Sequence, residues 1–212
     1  MDLTPLAHAE RADLAAFLET LTSHQWEAPT LCTGWCVRDL VAHVISYDEI
    51  NRRALVARRV KGTFHRGGAN AIGVAEYNRR SPEELIGILR DNLDPHGLPA
   101  AFGGKIALTD GVIHHQDIRR PLGLPREVPG ERLLPALQTA LFAPVIRGFW
   151  TIRSLRLVAT DIDWTTGKGP EVRGRAEALL LAVAGRAAVV DELTGPGQPE
   201  LASRLGQAPA RP

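Results

Sequence analysis

Between Val37 and Ile45 the apolar residues Val37, Leu40, Val41, Val44 and Ile45 fall at i, i+3, i+4, i+7 and i+8. That spacing puts all five on one face of a helix, which another element must cover. Leu14, Phe17, Leu18 and Leu21 repeat the pattern upstream, and Leu85, Ile88 and Leu89 repeat it downstream. Punctuation separates these runs. Thr4-Pro5 predicts a helix start with Thr4 as the cap and proline in the first turn. Ser81-Pro82-Glu83-Glu84 predicts a capping box. Residues 106–120 predict a further helix, stopped by Pro121 and Gly123. Glu27 to Trp35 reads as a loop, and the glycine-rich stretch Gly62 to Gly73 predicts a flexible one. The expectation for residues 1–128 is a bundle of four helices.

After Pro129 the pattern changes. Glu131 to Ile146 predicts a helix that Pro144 ends or kinks. Leu155 to Ala159 alternates like a strand, Thr166-Gly167-Lys168-Gly169 has turn chemistry, and Glu171 to Arg173 is expected to pair back as a second strand. Ala176 to Arg186 is a strongly apolar helix. The Pro-, Gly- and Ala-rich tail from Gly195 is expected to be poorly ordered. The fold expected is therefore mainly α, a four-helix bundle domain (1–128) followed by a smaller α/β segment (129–212).

Lys plus Arg number 25 and Asp plus Glu 24, a balance that argues against nucleic acid as a partner. No apolar run reaches the length of a membrane span, so no membrane partner is expected. The start Met1-Asp2-Leu3-Thr4-Pro5 lacks a secretory pattern. The cytoplasm is the expected location. The two cysteines, Cys32 and Cys36, are not expected to form a structural disulfide there. Oligomeric state is not legible.

The chemistry-bearing pattern is Asp110-Gly111-Val112-Ile113-His114, a carboxylate and an imidazole at i and i+4 on one helix face. A zinc ion accepts such ligands, and catalytic sites take three of them and keep one position open. The same spacing also occurs in helix-stabilising surface pairs. A third ligand must come from another helix, as helical bundles allow, and His43, beside the apolar stripe of the second helix, can point inward. His115 is the alternative, turned about 100° from His114. Asp117 shares the face of Asp110 and His114 and can orient an imidazole. Cys32 reads as a packing residue, Cys36 as a packing residue or a reactive thiol at a helix N-terminus.

The segment His24 to Val44, HQWEAPTLCTGWCVRDLVAHV, resembles the N-terminal signature of the mycothiol-dependent maleylpyruvate isomerase family, which belongs to the DinB-like metal-binding helical bundles. The matching elements are Trp26, Thr30-Leu31-Cys32, Gly34-Trp35, Arg38-Asp39-Leu40 and His43. Asp110, His114, Asp117 and Leu122-Gly123 resemble a second signature. Leu155 to Trp164 and Glu171 to Arg186 resemble the C-terminal pattern. The resemblance implies that His43, Asp110 and His114 hold a divalent metal, zinc first. It also implies mycothiol as a thiol cofactor or co-substrate, and a small electrophile as the substrate of an isomerase or S-transferase. Arg186 matches the family's C-terminal Gly-Arg and is implied as the catalytic cation for an anionic substrate group; a charge complementing a helix C-terminus is the plainer reading. Two positions depart from the family. Asp110 stands where glutamate is usual, and Cys36 stands where threonine is usual. The competing readings are a non-catalytic metal-binding or regulatory bundle, and a metal-dependent hydrolase with an ion-bound water as nucleophile.

Overall fold

The computed structural model describes residues 1–207. The protein is mainly helical, with one small three-stranded sheet near the C-terminus, and it divides into two compact units, Met1–Arg126 and a second that begins at Glu127.

Four helices organise the first unit: α1 (Thr4–Leu18), α3 (Val37–Ile45), α6 (Pro82–Asp91) and α7 (Lys105–Arg119). α1 packs against α6 and α7, and α3 packs against the same two, so the four close around a shared core. All five apolar positions of α3 are buried, beside Leu14, Leu18, Leu85 and Leu89. Ser81 caps α6 with the reciprocal Glu84 bond. The start of α1 differs from the expectation: Leu3 is the capping residue, and the Asp2 carboxylate accepts from the Thr4 N–H at 3.0 Å. Asp2 is the better cap, because its side chain reaches an amide that the Thr4 hydroxyl, already inside the first turn, does not.

The segment Gly62 to Gly73 is not a flexible loop. It lies within α4 (Arg52–Phe64) and α5 (Gly68–Tyr77), which pack closely and are joined by only three residues. The glycines serve contact instead of freedom. A Cβ on Gly62 would stand 2.5 Å from the Ala69 amide nitrogen, and one on Gly73 would stand 2.6 Å from the Ser46 hydroxyl. Gly67 takes φ +93° in the connecting turn, a conformation that favours glycine. A short helix, α2 (Ser23–Trp26), drops Trp26 into the core ahead of the 27–36 loop.

In the second unit α8 (Gly130–Phe142) ends two residues before Pro144 and packs on α10 (Ala176–Val183), which is buried from Ala178 to Val183. A short α9 (Gly148–Thr151) follows α8. The sheet contains β1 (Arg156–Ala159), β2 (Thr165–Gly167) and β3 (Glu171–Gly174) in the order β2-β1-β3. The expected turn at Thr166–Gly169 is thus partly strand. β2 pairs antiparallel with β1, and β3 pairs parallel with β1 on its other edge. The tight passage around the start of β1 requires glycine. A Cβ on Gly167 or Gly169 would stand 2.1 Å from the Leu155 or Ser154 carbonyl oxygen. The tail from Gly195 is ordered through α11 (Gln198–Gln207), because Leu201 and Leu205 give it a buried side; positions 208–212 lie outside the described residues.

Alanine normally stabilises a helix interior over glycine by about 1 kcal/mol. At Gly62 the Ala69 backbone reverses the sign. Gly62→Ala is expected to lower the thermal midpoint by several degrees, measured by circular dichroism, with loss of roughly 1–3 kcal/mol.

Candidate metal centre

α7 is buried from Ala107 to Ile118, Asp110 excepted. Its polar residues therefore need partners inside the protein. Adjacent positions on a helix diverge by about 100°, and the two histidines go to different neighbours. His115 is fully buried against α1. Its Nδ1–H donates to Glu10 Oε1 at 3.1 Å, and its Nε2 accepts from Arg119 Nε at 2.8 Å. It takes no place in the cluster around His114.

His114 turns towards α3. Its Nδ1 lies 2.9 Å from Asp117 Oδ2, and its Nε2 lies 3.3 Å from Asp110 Oδ1. His43 Nε2 lies 4.0 Å from the same Asp110 oxygen, and the two imidazoles meet edge-on with centroids 5.1 Å apart. One donor atom from each of His43, Asp110 and His114 lies within 4.8 Å of the others. With Nδ1–H donated to Asp117, Nε2 is the His114 nitrogen directed at Asp110 and His43. Orienting a ligating imidazole in this way is the usual task of a carboxylate behind it. The Asp110 side chain is 38% exposed against 10% for His114, so the cluster opens to solvent on the Asp110 side.

The loop before α3 sets the back of this cluster. The Leu31 N–H donates to the Asp117 carbonyl at 3.0 Å, and the Thr30 hydroxyl donates to the Trp35 carbonyl at 3.0 Å. This tie brings the buried Cys32 thiol to Asp117 Oδ2 at 3.2 Å and to His114 Nδ1 at 3.8 Å. Cys32, His114 and Asp117 thus form a second group of three metal-capable donors, on the other nitrogen of His114. Their contacts are those of a hydrogen-bonded relay, thiol to carboxylate to imidazole. The sequence reading of Cys32 as mere packing missed this; its nearness to Asp117 follows from the loop tie, which no spacing in the chain reveals. Cys36 begins α3 and its N–H donates to Asp39 Oδ2 at 3.3 Å. Burial pushes its thiol pKa up, which argues against a reactive thiolate there.

Two aromatic residues frame His43. The Trp35 ring lies 5.1 Å away and the Tyr47 ring 5.7 Å away, edge-on. Tyr47 donates to Asn70 on α5 at 2.5 Å, and burial raises its hydroxyl pKa against the lowering effect of Arg58. Behind Asp110, buried Arg11 pairs with Asp48 and donates to the Asn92 carbonyl. Burial acts to raise the pKa of Asp110, but His114, with His43 and Arg11 adding to it, holds it at about 2. Burial acts to lower the pKa of His114, and Asp110 and Asp117 reverse that, raising it well above its ordinary value.

Arg186, the remaining candidate, belongs to the second unit. It follows Gly185 at the end of α10, where the Gly185 N–H donates to the Ala182 carbonyl and the Arg186 N–H to the Leu181 carbonyl, a Schellman ending. Its guanidinium donates to the Ala184 carbonyl at 2.5 Å.

Fold and site define a helical-bundle protein with a histidine–carboxylate cluster between two of its helices. Residues 7–95 match the family described as Mycothiol maleylpyruvate isomerase N-terminal domain. Two solved structures are similar over 99% of this chain and 94% of theirs. A histidine-to-alanine mutant of the mycothiol-dependent maleylpyruvate isomerase aligns with a TM-score of 0.61 at 17% identity. A second structure of the mycothiol-dependent maleylpyruvate isomerase aligns at 0.53 and 16%. At these identities the likeness concerns the fold. No curated protein sequence matches the chain.

The charged group on the α1 side gives a pH prediction. Burial lowers the His115 pKa to about 4. Burial opposes ionisation of Glu10, but its bond from His115 and the charge of Arg126 hold it at about 2. Unfolded, His115 takes its proton near 6.5. The unfolded chain thus binds more protons between those values, and stability is lost as pH falls from about 6.5 towards 4. Asp48, which burial pushes up to about 6 against the pull of Arg11, acts in the opposite sense. The comparison is therefore with His115→Gln, which keeps Asp48. Denaturant unfolding of the wild type should lose roughly 1–3 kcal/mol more than the variant between pH 7 and 4.

Proposed function

We propose that the chain is a divalent-metal-dependent enzyme, with zinc as the first candidate, that uses or transfers mycothiol to a small electrophile as an isomerase or S-transferase. The observation that carries this reading is the convergence of His43, Asp110 and His114 within 4.8 Å, in a chain whose residues 7–95, His43 among them, match a family named for mycothiol chemistry. Two imidazoles and a carboxylate are an ordinary zinc donor set, and three protein ligands leave a position open. The donor chemistry and the single open side at Asp110 both fit such an ion. A zinc ion there would supply Lewis acidity that favours thiolate over thiol at neutral pH.

The protein's residues carry the remaining work. Asp117 holds the Nδ1 proton of His114, fixing the tautomer whose Nε2 can ligate. Cys32 occupies a further acceptor site of Asp117 and keeps that carboxylate turned inward. Trp35 and Tyr47 restrict the His43 ring and cover it from water. A thiolate adding to a cis double bond allows rotation and leaves by elimination to give the trans product; if it stays bound, the product is a thioether. Both outcomes make the same demand on these residues. Arg186 is proposed to bind an anionic group of the substrate.

The apo protein is expected to take up one zinc per chain. His43→Ala should lower zinc affinity far more than His115→Ala, and Asp117→Asn should lower it about 10–100-fold. Asp110→Glu should retain or tighten binding. Equal effects of His43→Ala and His115→Ala in a competitive chelator titration would sink the ligand assignment. Mycothiol and an S-blocked analogue are then titrated by calorimetry into the loaded protein. Tighter binding of the free thiol, increasing with pH as the thiol proton is released, supports the enzyme reading. Equal affinity would favour a metal-binding bundle without thiol chemistry.

A further inference from the structure

We propose that the outer face of α4 is a peripheral docking surface for an anionic lipid bilayer. Val56, Val60 and Phe64 lie at i, i+4 and i+8, on one side of the helix, and are 61%, 58% and 91% exposed. A helix on a globular protein normally turns such residues inward. α4 instead packs through Gly62, which meets Ala69, and through buried Arg58, which donates to the Ser46 carbonyl and to Glu76. Leu55 is half-buried, and Val56, Val60 and Phe64 are left outside.

Charge says what covers them. Residues 51–75 contain no Asp or Glu, yet carry Arg52, Arg53, Arg58, Arg59, Lys61 and Arg66. The whole chain has a net charge of only +1, so this positive stretch is a local segregation. Arg53, Arg59, Lys61 and Arg66 are exposed. The acid nearest in the packed partner helix, Glu76, is paired with Arg58. On the helical wheel Arg59 and Lys61 flank the Val56–Val60–Phe64 stripe on opposite sides. An apolar stripe bordered by cations suits the boundary between acyl chains and anionic headgroups, with the long basic side chains reaching up to the phosphates. At 13 residues the helix is about 20 Å long and lies flat in such an interface. Among the described residues no helix is long and apolar enough to cross a membrane; that criterion, like the length of apolar runs in the sequence, concerns spans and does not register a surface helix. A nucleic acid would engage the cations but leave the two valines without a use.

The test is co-sedimentation of the full-length protein with vesicles at low salt. Vesicles of phosphatidylcholine containing about one third phosphatidylglycerol should retain the protein, and pure phosphatidylcholine should not. The Val56→Ser/Val60→Ser/Phe64→Ser variant should bind about tenfold or more weakly, as should Arg59→Glu/Lys61→Glu. Both carry their changes on exposed side chains, and an unchanged thermal midpoint shows that they fold. Three results would overturn the proposal. One is no retention by the anionic vesicles. The second is equal retention of the serine variant, which would reduce the attraction to charge alone. The third is a dimer by light scattering that the serine variant converts to monomer, which would make a second copy the occupant.

Discussion

Two successive histidines on one helix cannot serve the same neighbour. The rotation of about 100° per residue sends His114 towards α3 and His115 towards α1. Because α7 is buried along most of its length, each imidazole demands its own polar surroundings. Glu10 and Arg119 answer on one side, Asp117 and Asp110 on the other. The first unit is arranged around that division. α1 supplies the fixed charges that hold α7 in rotation, and α3 supplies the second imidazole of the cluster.

The two sides differ in what they leave open. Around His115 every ring nitrogen is used, Glu10 is matched by Arg126, and Arg119 stacks on the Phe17 ring at 3.7 Å. Buried ionic groups of this kind add little net stability against an apolar alternative, but losing one partner is costly. That asymmetry specifies the rotation and register of α7 more than it strengthens the fold. Around His114, Nδ1 is held in the interior through Asp117 and the Cys32 thiol behind it. Nε2 faces a second imidazole and a partly exposed carboxylate. A closed arrangement and an open one thus lie on opposite sides of one helix, and the closed one keeps the open one in place.

Much of this was legible in the chain because periodicity and capping report local geometry directly. The Val37–Ile45 stripe, the Ser81–Glu84 box and the i, i+4 pair of Asp110 and His114 each follow from the 3.6-residue repeat alone. What escaped depended on contacts between segments. Gly62 and Gly73 look like flexibility in a sequence; in the structure they let α4 meet α5 and α5 meet Ser46. The alternation of Leu155 to Ala159 predicts a strand but not its partners, and β3 joins it in parallel, by way of a strand read as a turn. Cys32 sits 82 positions from His114, and only the Leu31–Asp117 backbone bond brings its thiol into the relay. Beyond the half-buried Leu55, the hydrophobic residues of α4 form no inward stripe, since that helix packs through a glycine and an arginine.

Asp110 is the position where sequence and structure bear on each other most closely. An aspartate where the resemblance implies glutamate is one methylene shorter, which asks for a closer backbone or a bridging water. Four ligands around zinc at about 2.1 Å stand roughly 3.4 Å from one another in a tetrahedron. Asp110 Oδ1 is 3.3 Å from His114 Nε2, already at that spacing, and 4.0 Å from His43 Nε2. The remaining gap is a few tenths of an ångström on the α3 side. Asp110 and His114 stand one turn apart on the same helix, so the shorter carboxylate still reaches that imidazole, and the adjustment an ion would ask for falls on the His43 ring, which Trp35 and Tyr47 hold on either side.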